Sequence, residues 1–149
     1  MTTVQLTTDG KLPAGVHQQA WEDFEVQFGF SLRRAAILGR VVLALQHLAQ
    51  AGVRRVFVGG SFVTTKRAPK DMDVLYDTTG ADASAVHPLF LDLSREGRIV
   101  MLSTFGAEFF PADLIEGSTD KTMLEFFQQT RDGQPVGVIE IDLSTLPQP

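Results

Sequence analysis

The feature that most constrains the fold is a 19-residue stretch, Val58-Gly-Gly-Ser-Phe-Val-Thr-Thr-Lys-Arg-Ala-Pro-Lys-Asp-Met-Asp-Val-Leu-Tyr76. A β-rich run, Arg54 to Val58, stops at Gly59-Gly60-Ser61, and a second β-rich run spans Met72 to Tyr76. Between them the chain must turn and come back, so the two runs are expected to be neighbours in one sheet. Glycines at 59 and 60 allow a sharp bend and close approach of backbone to a ligand. If Ser61 opens a helix, its hydroxyl and the free N–H groups around it form an anion site. Asp71 and Asp73 are two residues apart on an expected strand, so their side chains leave the same face. Two carboxylates 4 Å apart repel by roughly 4 kcal/mol at an effective dielectric near 20. A divalent cation is the usual relief. Lys66, Arg67 and Lys70 in the intervening loop add positive charge suited to a polyphosphate. Taken singly, a Gly-Gly-Ser is commonly a turn and an Asp-x-Asp a solvated strand edge. Their combination at this spacing points to a nucleotide site.

The rest of the pattern predicts one α+β domain over 1–149, a small mixed sheet flanked by helices. At 149 residues the chain can bury a core without disulfides. Residues 1–16 read as an irregular arm or short edge strand. A short helix is expected from about Gln18 to Phe28, on the spacing of Trp21, Phe24 and Phe28. Ser31 caps the clearest helix, whose stripe runs Ile37, Val41, Leu45 and Leu48 to a stop at Gly52. Gly39 inside it suggests a close approach by another element. Residues 82–96 read as a helix, 98–103 as strand or helix, and Glu108–Phe110 as a short strand. Ser118 or Thr119 is expected to cap a helix carrying Met123, Leu124, Phe126 and Phe127. An Asp132-Gly133 turn leads into a strand over Val136–Leu143, with Ile139, Ile141 and Leu143 on one side. Trp21 and the phenylalanine pairs at 109–110 and 126–127 read as core, with an interface as the alternative for that aromatic group. His17, His47 and His87 have no ligand spacing.

The net charge is −5, with both signs distributed along the sequence, which argues against a broad footprint for duplex DNA. No apolar run reaches membrane-spanning length, and the N-terminus lacks the pattern of a secretory signal. The absence of cysteine is compatible with a reducing cytoplasm, where the protein is expected.

Gly60-Ser61, nine residues, then Asp71-Met72-Asp73 resembles the pattern of the polymerase-beta-like nucleotidyltransferase superfamily. More of the chain is similar to an uncharacterised bacterial and phage family of nucleotidyltransferase-like proteins. The similar segments are Leu12–His17, Trp21–Phe24, Gly60–Thr64, Pro69–Asp73, Glu108–Pro111 and Arg131–Pro135. In size it also resembles minimal nucleotidyltransferase antitoxins, which pair with a toxin. The resemblance implies a nucleotidyltransferase-like fold, with Gly59, Gly60 and Ser61 at the terminal phosphates of an NTP, ATP foremost. It implies Asp71 and Asp73 as ligands of Mg2+ (or Mn2+), and a third carboxylate on a neighbouring strand as metal ligand and proton acceptor. Glu108, opening Glu-Phe-Phe, is the choice for that third group, with Asp113, Glu140 and Asp142 as rivals. The implied reaction is in-line attack by a protein or RNA hydroxyl on the α-phosphate, transferring an NMP, AMP foremost, with pyrophosphate leaving. One departure counts against catalysis: Phe62-Val63-Thr64-Thr65 replaces the small residue and arginine-glycine pair that active members commonly carry after Gly-Ser. The alternative is a catalytically weak or inactive binding module on the same fold, which regulates a partner protein.

Overall fold

The computed structural model describes residues 2–149. Five strands, β1 (Gly15–Gln19), β2 (Arg55–Gly59), β3 (Met72–Tyr76), β4 (Ala107–Pro111) and β5 (Gly137–Asp142), form one mixed sheet in the order β1-β5-β2-β3-β4. The pairs β2–β3 and β2–β5 are antiparallel, while β1–β5 and β3–β4 are parallel. Four helices accompany it: α1 (Trp21–Phe28), α2 (Leu32–Gln50), α3 (Arg95–Phe105) and the single-turn α4 (Met123–Phe126). The protein is thus a mixed α/β fold.

Alternation along the strands divides the interior into two apolar layers. Val56, Val58, Met72, Val74, Tyr76, Phe109, Ile139 and Ile141 join the larger core with α1, α2 and α3. Phe57, Leu75, Phe110 and Val138 face the other way, into a smaller cluster with Met123. The expected grouping of Ile139, Ile141 and Leu143 in one core holds. The α2 stripe is fully buried, and Ser31 Oγ accepts from the Arg34 backbone N–H as its cap.

Several local expectations are corrected. Gln18 and Gln19 belong to the edge strand β1, and α1 begins only at Trp21, after Ala20. Parallel pairing with β5 decides this, and no local signal announced it. Residues 82–94 are not helical apart from a 3-10 turn at Pro88–Leu91, because Pro88 lacks an N–H and Ser94 caps a new helix at Arg95. The ambiguous 98–103 run lies inside that helix, which stops at Gly106 with φ +73°. The cap of α4 is Thr122, neither Ser118 nor Thr119, in a reciprocal capping box with Glu125. A Cβ at Gly39 would meet nothing within 4 Å, so no element approaches there. Phe126 is exposed, and Phe127 is half-buried beside the sheet rather than in the core.

Candidate functional site

β3 brings Asp73 of the Asp-x-Asp motif to the sheet face opposite α2. Asp73 alternates with the buried Val74 and leaves on the side of Leu75, while Asp71 lies just before the strand. The strand register then sets three positions side by side. Gly59 on β2 pairs with Asp73, and Asp73 pairs with Glu108 on the parallel β4. Parallel neighbours lie about 4.8 Å apart. Of the four carboxylates considered for the third position, Glu108 is the one placed beside the motif. Glu140 sits opposite Phe57 and is ion-paired to Arg55, while Asp113 follows β4 and accepts a hydrogen bond from Thr78 at 3.4 Å. Asp142 caps the turn at Ser144.

Electrostatics marks Asp73 as the strained member. Burial pushes its carboxyl up to about 7, and the charges of Asp71 and Glu108 push in the same direction, partly offset by Arg98. The Arg98 guanidinium donates through Nε and Nη2 to Glu108 Oε2, at 3.1 and 2.9 Å. Arg98, on α3, carried no signal in sequence, since its role depends on α3 crossing the start of β4.

The glycine pair does what its backbone freedom allows. Gly60 has φ +75°, and a Cβ there would stand 2.7 Å from Asp73 Oδ2. The carboxylate therefore faces bare backbone. Ser61 does not open an α-helix: it is the second residue of a single 3-10 turn, Gly60–Val63. Gly59 lies under the Phe127 side chain, where an added Cβ would come within 3.1 Å of the ring and of its Cβ. The segment after β4 in this way covers the acidic row. A cavity of about 350 Å³ remains between them, with Asp73, Arg98 and Glu108 on one wall and Leu114, Ile115, Phe126 and Phe127 on the other.

Among the described residues the loop cations form no ion pair with the acidic row: Lys66, Arg67 and Lys70 are exposed, and none pairs with Asp71, Asp73 or Glu108. Arg67 lines a separate groove with Phe30, Ser31, Leu32 and Arg33. The loop is held from within by α2. The Arg34 guanidinium, with no solvent exposure, donates to the carbonyls of Phe28, Phe62, Thr64 and Lys66 at 2.6–2.9 Å. It lies between the rings of Phe30 and Phe62, 4.3 and 4.7 Å from their centroids. Arg33 donates to the carbonyls of Pro69 and Lys70, and Ser31 Oγ to that of Arg67. The turn between Ser61 and Asp71 is accordingly shaped by helix-borne donors together with its own Thr64, whose hydroxyl donates to the Ser61 carbonyl at 2.6 Å.

An oxygen-only donor set with excess negative charge suits a hard divalent cation, and the unbonded, upward-shifted Asp73 carboxyl beside Asp71 fits one. Among the described residues no three such side chains stand together in a metal-holding group, and Glu108 is engaged by Arg98. His47 and His87 do meet, through a 2.9 Å bond from the His87 N–H to His47 Nε2, on the far side of the domain against Phe90.

The fold and site together define a mixed α/β protein with a carboxylate row across adjacent strands. Residues 4–142 match the model of a family of unknown function (DUF6932), and the chain belongs to that family. No curated protein and no solved structure matches the chain. No helix among the described residues is long and apolar enough to cross a membrane.

Proposed function

We propose that the protein has a nucleotidyltransferase-like fold and uses the Asp71/Asp73/Glu108 row to transfer an NMP, AMP foremost, from an NTP to a protein or RNA hydroxyl. One observation carries the reading: the register sets Glu108 beside Asp73, and Asp73 beside the Gly59-Gly60 turn. Asp71 and Asp73 would hold Mg2+ or Mn2+. The bound ion would neutralise polyphosphate charge and the mutual repulsion of the carboxylates. Exposed Gly60 and half-exposed Ser61 offer backbone and hydroxyl donors to phosphate oxygens at the mouth of the site. Glu108, once released by Arg98, is placed to accept the acceptor's hydroxyl proton as its oxygen bonds the α-phosphorus and pyrophosphate departs. A role as an antitoxin and a cytoplasmic setting both accord with this reading but are not needed by it.

A second reading is favoured by a specific pair of contacts. Phe127 lies on Gly59, and Arg98 engages Glu108, so both ends of the row are occupied by the protein itself. In that reading the domain is a binding module that regulates a partner with little or no catalysis. Calorimetric titration of ATP with magnesium into the wild type and into Asp71→Asn/Asp73→Asn separates the two. Metal-dependent binding lost in the double variant supports the transferase. Absence of binding by the wild type to ATP, GTP, CTP and UTP supports the module.

A further inference from the structure

Charge is less evenly mixed than the net value implies. Between residues 26 and 70 there are eight of the 13 Lys and Arg residues and none of the 18 Asp and Glu residues. The fold gathers four of those eight, Arg33, Lys66, Arg67 and Lys70, by tying the 64–70 loop to the start of α2. Between the two segments runs an open groove of about 660 Å³. Its walls are largely apolar: Leu32 is 92% exposed and Phe30 51% exposed. Large apolar groups at that exposure are unusual when they adjoin a groove and an unneutralised cationic rim. Among the described residues, none of the four cations forms an ion pair.

Two of the groove's side chains are held in place. Phe30 is stacked on the Arg34 guanidinium, and Arg33 is fixed by two carbonyls. Surfaces that lose little side-chain freedom on binding make better use of their contacts.

We infer that this groove docks a protein partner through a peptide segment that combines acidic and apolar side chains. Complementarity selects the acid, for Arg33 and Arg67 line the groove and Lys66 and Lys70 lie on the same loop. The exposed leucine and phenylalanine select apolar side chains between the acids. Single-stranded nucleic acid shares the need for cations and an aromatic ring, but it has no use for Leu32 as the most exposed wall. All 18 acidic residues lie outside residues 26–70, and their charge repels a long polyanion, while a short segment avoids it. The inference concerns the face that holds Phe30 and Arg67 and stands whether or not the carboxylate row is catalytic.

The test is fluorescence polarisation with a labelled eight-residue peptide alternating glutamate and leucine, beside oligoglutamate and oligouridylate of equal charge. The full chain should bind the mixed peptide at least tenfold more tightly than either homopolymer, and binding should weaken as salt rises. Arg67→Glu and Leu32→Ser should each weaken it about tenfold or more. Neither side chain belongs to the carbonyl clamp, so both variants should keep the wild-type urea midpoint. The proposal is overturned if the mixed peptide fails to bind, or if both variants bind it as the wild type does. Tighter binding of oligouridylate, lost in Arg67→Glu, would overturn it in favour of a nucleic-acid surface.

Discussion

Arg34 and Asp73 are both charged groups withdrawn from solvent, and the fold treats them in opposite ways. Arg34 meets four backbone carbonyls and two aromatic rings, with its donors satisfied and no carboxylate near. Burial alone lowers its pKa, to about 10, which leaves it charged at neutral pH. Asp73 meets two like charges and the bare backbone of Gly60. The first arrangement uses a charge to shape a loop. The second keeps a carboxylate in an unfavourable setting, as ligand sites commonly do. The contrast separates a region that stabilises the fold from one that strains it, although the loop that Arg34 holds runs directly into the strand that carries Asp73.

The largest test of that contrast is Arg34→Met. It keeps the apolar stem but leaves four inward carbonyls without donors, and it should cost about 3–5 kcal/mol, read as a lowered urea midpoint. A change below about 1 kcal/mol would remove the distinction. Asp73→Asn should act in the reverse direction. The folded-state pKa is raised from 3.8 to about 7, so between these values the native state binds a proton that the unfolded state does not. Wild-type stability therefore falls as pH rises through that window, and the asparagine variant lacks this loss. In a chelator, the variant should gain on the order of 4 kcal/mol over wild type at pH 8 compared with pH 4. Equal pH slopes in the two proteins would show that Asp73 is not strained.

Gly60→Ala sharpens the same point from the backbone side. With φ +75° and a Cβ 2.7 Å from Asp73 Oδ2, it should cost about 1–2 kcal/mol. Adding Asp73→Ala should recover the steric part and leave the backbone part, as a double-mutant cycle would measure. The smallest effect is expected for Arg98→Gln. Its half-exposed pair with Glu108 is worth under about 1 kcal/mol. Removing the cation should nonetheless raise the Asp73 carboxyl further, visible in a carbon-13 NMR titration, because Arg98 now lowers it.

Strong local signals were legible in the chain. The α2 stripe with its Ser31 cap, the two strands around Gly59-Gly60-Ser61, the Glu108 strand and the closing β5 all follow from periodicity and turn residues. Where local preference was weak or contested, it misled. Residues 82–94 carry Leu89, Phe90 and Leu93 at helical intervals, yet Pro88 and the Ser94 cap confine the helix to Arg95–Phe105. Thr122 caps α4 because Glu125 answers it three residues on, a partner that Ser118 and Thr119 lack.

The sequence by itself determined that Asp73 would leave a strand beside a glycine turn, since strand alternation and glycine's backbone freedom are local properties, whereas Asp71, expected on the same strand, lies just before it. Only the tertiary structure decided which carboxylate stands next to Asp73, that Arg98 holds it, and that Phe127 covers Gly59. It also decided that Arg34 would be buried and that Arg67 would line a separate groove. The physical reason is that hydrogen-bond partners and like-charge repulsion depend on distances in space, and strand order and register set those distances between residues far apart in the chain.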